Sequence, residues 1–187
     1  LLRTSGWKPG MTLFDPMCGS GTILAEAAQM LAGIPPGLHR DFAFEKFAGF
    51  SKAEWSAIKA SVKPNPLPTE PTIFGSDISG DMVSMTRNNL NKAGIRFEVP
   101  LKQIEAQEVK APSETPGILL TNPPYGERIG VRGDSTMEAD DMAKEFFSAF
   151  GTTLKHRFAG WKVFLSTADL GLPKLLRLKE ARKTPFF

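Results

Sequence analysis

The chain has 187 residues, of which 41% are hydrophobic and 23% charged, with a formal charge of +3 and a pI near 9.0. That length suits one domain with a sizeable core, and no apolar run approaches the roughly 20 residues that cross a bilayer, so a cytoplasmic protein without a membrane partner is expected. A single cysteine excludes an internal disulfide, two histidines (His39 and His156) cannot close a zinc site, and no metal is expected; the small positive surplus suits a polyanionic partner without establishing one.

In chain order, Met11 to Asp15 is a short apolar run entering a glycine-containing turn, and Thr22 to Leu31 places Ile23, Leu24, Ala27, Ala28 and Leu31 at helical spacing. Thr72 to Asp77 reads as a second strand. Ser79 then stands as N-cap of a helix carrying Met82, Met85 and Leu90 and ending before Gly94. Ile95 to Val99 is the expected third strand, and Gly117 to Thr121, apolar almost throughout, a fourth that is buried on both faces. A helix follows from about Glu138 to Arg157, with Met142, Phe146, Phe150 and Leu154 recurring every fourth residue and Gly151 interrupting it at a cost of about 1 kcal/mol. Trp161 to Ser166 forms a fifth strand and Leu170 to Leu176 a short helix, and the basic tail from Arg177 has room for one more strand.

This alternation predicts an α/β domain: a doubly wound, mostly parallel sheet with helices on both faces. Residues 33–71 break the rhythm. Rich in proline and carrying Phe42, Phe44, Phe47 and Trp55, they read as an insertion after the first helix, whose aromatics are expected to pack it onto the domain rather than to stack on bases. A first residue other than methionine and a terminal Phe186-Phe187 pair suggest a fragment.

The loop Asp15-Pro16-Met17-Cys18-Gly19-Ser20-Gly21-Thr22 lies at the carboxyl end of the first strand, where doubly wound sheets bind ligands. A dinucleotide site would want a small residue at Leu24, and a phosphate-cradling loop would want Gly-Lys-Ser/Thr; neither is present. A nucleoside with an amino-acid tail remains, and S-adenosylmethionine is such a ligand. Asp15 would face its cationic end, Gly19 and Gly21 would make room for the methionine moiety, and Asp77 would accept hydrogen bonds from the ribose hydroxyls. The interval from loop to acid far exceeds the usual ~20 residues, which the insertion explains.

Asn122-Pro123-Pro124-Tyr125 follows the fourth strand, at the same sheet edge. Exocyclic amines of guanine and adenine are poor nucleophiles because the lone pair is delocalised into the ring. The Asn122 side-chain oxygen and the Pro123 carbonyl can accept the two amine hydrogens and localise that pair, the prolines stiffen the loop, and Tyr125 offers a face for a flipped base. Cys18 could suggest pyrimidine-carbon chemistry through a thiolate, but its place inside the cofactor loop makes a small packing residue the better account. Arg128, Arg132, Lys174, Arg177, Lys179, Arg182 and Lys183 could contact phosphates; for the last five a solvated basic face serves equally well.

The Asp15 to Thr22 loop, Asn122 to Arg128 and Pro36-Gly37-Leu38-His39-Arg40 together resemble the bacterial large-subunit ribosomal RNA guanine-N2 methyltransferases that carry a THUMP domain, and the resemblance covers nearly the whole chain. It implies a class I (Rossmann-like) methyltransferase fold over residues 1–187, transfer from S-adenosylmethionine to guanine N2 of large-subunit ribosomal RNA, an RNA-binding THUMP module upstream of Leu1 and a terminal antiparallel strand beyond Phe187. By position it assigns the catalytic role to Asn122, Pro123, Pro124 and Tyr125. The cofactor set is Asp15, Pro16, Met17, Cys18, Gly19, Ser20, Gly21, Thr22, Asp77, Ile78 and Asn122. Where the family commonly has an aspartate for the adenine amine, Lys102-Gln103 stand here, and Gln103 could accept that bond through its amide oxygen. The four-residue motif does not separate guanine N2 from adenine N6 of DNA or RNA. A non-catalytic RNA-binding or assembly module with the same fold is opposed by two intact loops.

Overall fold

Strands buried on both faces must be apolar at almost every position, and Leu13–Asp15 and Ile118–Thr121 are buried throughout. In the computed structural model, which describes residues 1–38, 40–124 and 136–185, with only the helical backbone at 136–140, they are the central strands of a five-stranded sheet. The elements are α1 (Leu2–Ser5), β1 (Leu13–Asp15), α2 (Thr22–Ala32), a 3-10 turn (Ala43–Lys46), α3 (Lys52–Ala60), β2 (Ile73–Asp77), α4 (Gly80–Lys92), β3 (Leu101–Gln103), β4 (Ile118–Thr121), α5 (Thr136–Arg157), β5 (Lys162–Leu165) and α6 (Leu172–Leu175). Strand order is β3-β2-β1-β4-β5, and each neighbouring pair is parallel.

Side chains alternate across the sheet, so each strand feeds two cores. Leu13, Ile73, Ile118 and Leu120 pack with Leu24, Ala28 and Leu31 of α2 and Leu90 of α4, whereas Phe14 and Leu119 point to the other face, against Phe147, Phe150 and Leu154 of α5 and Leu172 of α6. This is the expected doubly wound α/β architecture. Its strand order reverses between β1 and β4, because the chain leaves β1 toward β2 and β3 and returns on the far side at β4. Loops diverge from such a reversal and leave a crevice at the carboxyl ends of the strands.

Several expectations are corrected. The third strand is Leu101–Gln103, not Ile95 to Val99. Ile95 closes the end of α4 by donating its N–H to the Leu90 carbonyl, and Phe97 and Val99 pad the core, so their alternating burial mimics a strand. On α4 the buried residues are Val83, Thr86 and Leu90, with Met85 turned out to solvent, while Ser79 caps the helix as expected by accepting Met82 N–H at 3.4 Å. Met142 is likewise exposed, and the buried stripe of α5 runs through Phe147, Phe150 and Leu154. Gly151 owes its place to a crossing: a Cβ there would overlap the Leu176 carbonyl oxygen at the end of α6. Residues 177–185 hold no strand.

The insertion packs mainly on itself. Trp55 meets Phe42 and Phe44 edge-on at 6.0 and 5.2 Å, Phe44 contacts Phe50 at 5.8 Å, and Glu45 accepts Trp55 Nε1–H and Phe42 N–H. None of these aromatics joins either core cluster, and Phe47 is 69% exposed. Asn65 ties the segment back to the end of α2 through its N–H to the Ala32 carbonyl and its amide to the Leu31 carbonyl. Among the described residues no helix is long and apolar enough to cross a membrane, and no group of His, Cys, Asp or Glu could hold a metal ion.

Candidate active site

Because the strands are parallel, β3, β2, β1 and β4 end at one edge, presenting in order Gln103, Asp77, Asp15 with the following loop, and Asn122. The edge therefore collects residues that the sequence scatters over more than a hundred positions.

The loop after β1 is shaped by hydrogen bonds to β2 and α4. Cys18 N–H donates to the Ser76 carbonyl at 2.9 Å, Ser76 Oγ donates to the Pro16 carbonyl at 3.3 Å, and Gly21 N–H closes a turn on the Cys18 carbonyl at 2.8 Å. Gly19 and Gly21 adopt φ of 54° and 83°, the left-handed region that residues with a Cβ rarely enter. At Gly21 a Cβ would also stand 2.5 Å from the Thr86 methyl. Helix α2 starts at Thr22, so the first amides of the helix lie at the loop.

Asp77 is buried and accepts two amide hydrogens, from Gly19 on Oδ2 and from Ser79 on Oδ1, both at 2.9 Å. Next to it Ile78 leaves an apolar side chain 64% exposed at the edge. Gln103 pairs in register with Asp77, and its Nε2 donates to the Ile78 carbonyl at 3.2 Å, with its Oε1 facing Gly80. The amide of Gln103 thus lies beside the residues expected to bind the nucleoside.

Asp15 is placed differently from the expectation. Only 1% exposed, its carboxyl lies beneath the loop and accepts Met17 N–H at 3.2 Å, so it does not stand on the open edge. Burial pushes its pKa up to about 7, against smaller opposing effects of the Thr121 hydroxyl and the Met17 N–H, with a further push from the Asp77 charge. The Thr121 hydroxyl is near enough to act on the carboxyl but does not complete a hydrogen bond to it, and it is otherwise buried without a partner. Cys18 is also buried, and burial pushes its thiol up to about 12, far from a nucleophilic thiolate at neutral pH. The packing account of Cys18 therefore stands.

Asn122 emerges exposed directly after buried Thr121, followed by buried Pro123 and half-buried Pro124. The Thr121 carbonyl accepts Ser166 N–H from beyond β5, which anchors the strand end from which the motif departs. Tyr125, with Gly126, Glu127, Arg128 and Arg132, lies outside the described residues, as does His39. Of the basic tail, Lys174, Arg177, Lys179, Arg182 and Lys183 are exposed, and Lys183 pairs with Glu180 at 3.4 Å.

Sequence reasoning missed Thr86 and Asn89. Thr86 Oγ1 donates to the Gly19 carbonyl at 2.7 Å, and Asn89 Nδ2 donates to the Ser20 carbonyl at 2.9 Å. The available signal was a polar residue in register with Val83 and Leu90 on the buried stripe of α4.

A family model described as "RMKL-like, methyltransferase domain" matches residues 1–187. Among curated relatives, the chain is 36% identical over its whole length to the "Ribosomal RNA large subunit methyltransferase K/L" of Shewanella baltica (strain OS185). It is 34% identical to that of Psychromonas ingrahamii, again over its whole length. It spans about a quarter of each relative, 26% and 25% respectively. Among solved structures, a candidate methylase from Clostridium difficile 630 superposes over 94% of this chain and 44% of its own with a TM-score of 0.79 and 31% identity. A Listeria monocytogenes protein named a predicted N6-adenine-specific DNA methylase matches 95% of this chain and 44% of its own at a TM-score of 0.78 and 27% identity. A third structure, of a candidate methyltransferase complexed with SAH, covers 97% of this chain and 46% of its own, with a TM-score of 0.77 and 29% identity.

Proposed function

The chain belongs to the RMKL-like methyltransferase domain family, a class I α/β methyltransferase fold, and from that premise we propose that it transfers a methyl group from S-adenosylmethionine to an exocyclic base amine, guanine N2 of large-subunit ribosomal RNA. One observation carries the reading: the glycine loop, Asp77 and Asn122-Pro123-Pro124 share one edge of a parallel sheet, at its strand-order reversal. The residues present suit the cofactor. Two left-handed glycines open the loop, a buried carboxylate suits ribose hydroxyls, and exposed Ile78 beside it offers an apolar platform to adenine. In this reading Pro16 to Thr22 hold the methionine end, Asp77 and Ile78 the nucleoside, and Gln103 the adenine amine. Asp15 acts from beneath, through its hold on the loop at Met17 N–H.

S-adenosylmethionine supplies, when bound, a methyl carbon already activated by its sulfonium. The remaining task is alignment of a weak nucleophile. Asn122 Oδ1 and the Pro123 carbonyl accept the two hydrogens of the amine, which turns its lone pair out of the ring conjugation. The methyl carbon's bond to the sulfonium sulfur breaks as its bond to the amine nitrogen forms, leaving a neutral thioether as the departing product. The same two acceptors stabilise the positive charge that develops on nitrogen, and one of the two hydrogens they hold leaves as a proton to solvent. Proline at 123 and 124 limits backbone freedom, so the acceptors are held in place before the base arrives. Tyr125 supplies the stacking face for the flipped base.

The deciding measurement is mass spectrometry of nucleosides from ribosomal RNA of a strain lacking the gene. Loss of N2-methylguanosine from the large-subunit RNA is the expected result. Loss of N6-methyladenosine instead would move the acceptor to adenine, the specificity named for the Listeria neighbour, and unchanged RNA would overturn the proposal.

A further inference from the structure

The loop that would hold the cofactor is oriented from behind by α4, and we infer that Thr86 and Asn89 are positioning residues for cofactor binding. This rests on the cofactor reading above. Thr86 is fully buried, and its hydroxyl donates to the Gly19 carbonyl at 2.7 Å; Asn89 lies three residues on, and its amide donates to the Ser20 carbonyl at 2.9 Å. Two successive carbonyls are thereby turned toward the helix.

A trans peptide is planar, with its C=O and the following N–H pointing in opposite directions. Fixing the Gly19 carbonyl on Thr86 therefore turns the Ser20 N–H away from α4. That is the side from which a ligand must approach, because the body of α4 fills the other. The Thr86 hydroxyl has its single hydrogen engaged by Gly19, and the Cys18 thiol, 3.7 Å away, is placed to donate to its oxygen. The chain Cys18, Thr86, Gly19 thus fixes one peptide of a segment that two positive-φ glycines leave otherwise permissive. The same threonine also sets how close the loop comes, since its methyl occupies the space a Cβ on Gly21 would need.

The role belongs to the hydroxyl, so two substitutions of Thr86 separate it from packing. Thr86→Val keeps the shape and removes the donor; Thr86→Ser keeps the donor and removes the methyl. In the full-length protein, calorimetric titration with S-adenosylmethionine is expected to give a Kd roughly tenfold or more weaker for Thr86→Val and near wild type for Thr86→Ser. Turnover at saturating cofactor should be largely retained in both. Asn89→Ala, on the more exposed side of the helix, should weaken Kd in the same direction with little change in melting temperature, and covers the case in which Thr86→Val does not fold. Wild-type affinity in Asn89→Ala, or in a folded Thr86→Val, overturns the inference while leaving the cofactor reading standing. A wild-type protein that binds no S-adenosylmethionine sinks both.

Discussion

The Asp77 carboxylate accepts the amide hydrogen of Gly19 at 2.9 Å, joining residues 58 positions apart. The bond crosses from the end of β2 to the loop after β1, and it exists because those strands are neighbours in parallel register, Asp15 beside Gly75. One acid is thereby engaged in both tasks at this edge: it holds the loop and stands where ribose hydroxyls are expected.

Replacing that acid should show both effects. Asp77→Ala is expected to weaken S-adenosylmethionine binding roughly tenfold or more and to lower stability by about 1–3 kcal/mol, since two amide donors lose their acceptor. Calorimetry and denaturant unfolding measure the two separately. Unchanged affinity would remove Asp77 from the site.

For Asn122 the expectation is the opposite split. Asn122→Ala should lower kcat by about 100-fold or more, as removal of one preorganised group at a developing charge commonly does, while cofactor affinity stays within a few-fold. Turnover within a few-fold of wild type would show that the amine is aligned by something else.

Asp15 makes stability depend on pH in an unusual direction. Its folded pKa of about 7 exceeds the ordinary 3.8, so the native state keeps a proton that the unfolded chain releases. The contribution is complete below pH 3.8, declines as pH rises and is gone above about 7; at ~1.4 kcal/mol per pH unit it amounts to about 4 kcal/mol. Asp15→Asn stays neutral at every pH. The unfolding free energy of wild type relative to Asp15→Asn should therefore fall between pH 4 and pH 8, by up to about 4 kcal/mol. A flat difference across that range would mean that the carboxyl is not held neutral.

Gly151 offers a test in which propensity and packing disagree. Alanine is the better helix former by about 1 kcal/mol, yet its Cβ at this position would overlap the Leu176 carbonyl oxygen. Gly151→Ala is expected to destabilise the protein by about 1–3 kcal/mol, read by denaturant unfolding. A stabilised variant would show that α6 can move aside cheaply.

Much of this was legible in the residues. Apolar runs at 13–15 and 118–121, the Ser79 cap and the glycine loop are local signals, since each depends on side chains and dihedral preferences within a few positions. The doubly wound α/β architecture followed from strand and helix alternation, and its class I methyltransferase character only from the family resemblance of the loop motifs. Period alone misplaces burial elsewhere: Ile95, Phe97 and Val99 alternate because they line the core beyond a helix end, and Phe97 pairs with no strand. Met82 and Met85 looked like the buried stripe of α4, but the face turned to the sheet is that of Val83, Thr86 and Leu90.

The chain's own chemistry determined which groups were available for function: an asparagine before two prolines, two acids at strand ends and a loop that glycine alone lets turn so tightly. Only the tertiary structure decided how those groups are used. The β3-β2-β1-β4-β5 order brought them to one edge, put the Asp15 carboxyl under the loop, out of solvent, and set Thr86 and Asn89 behind it. The reason is physical: a side chain's neighbours across a sheet are set by strand order and register, which arise from packing the whole chain at once, and no spacing along the sequence encodes them.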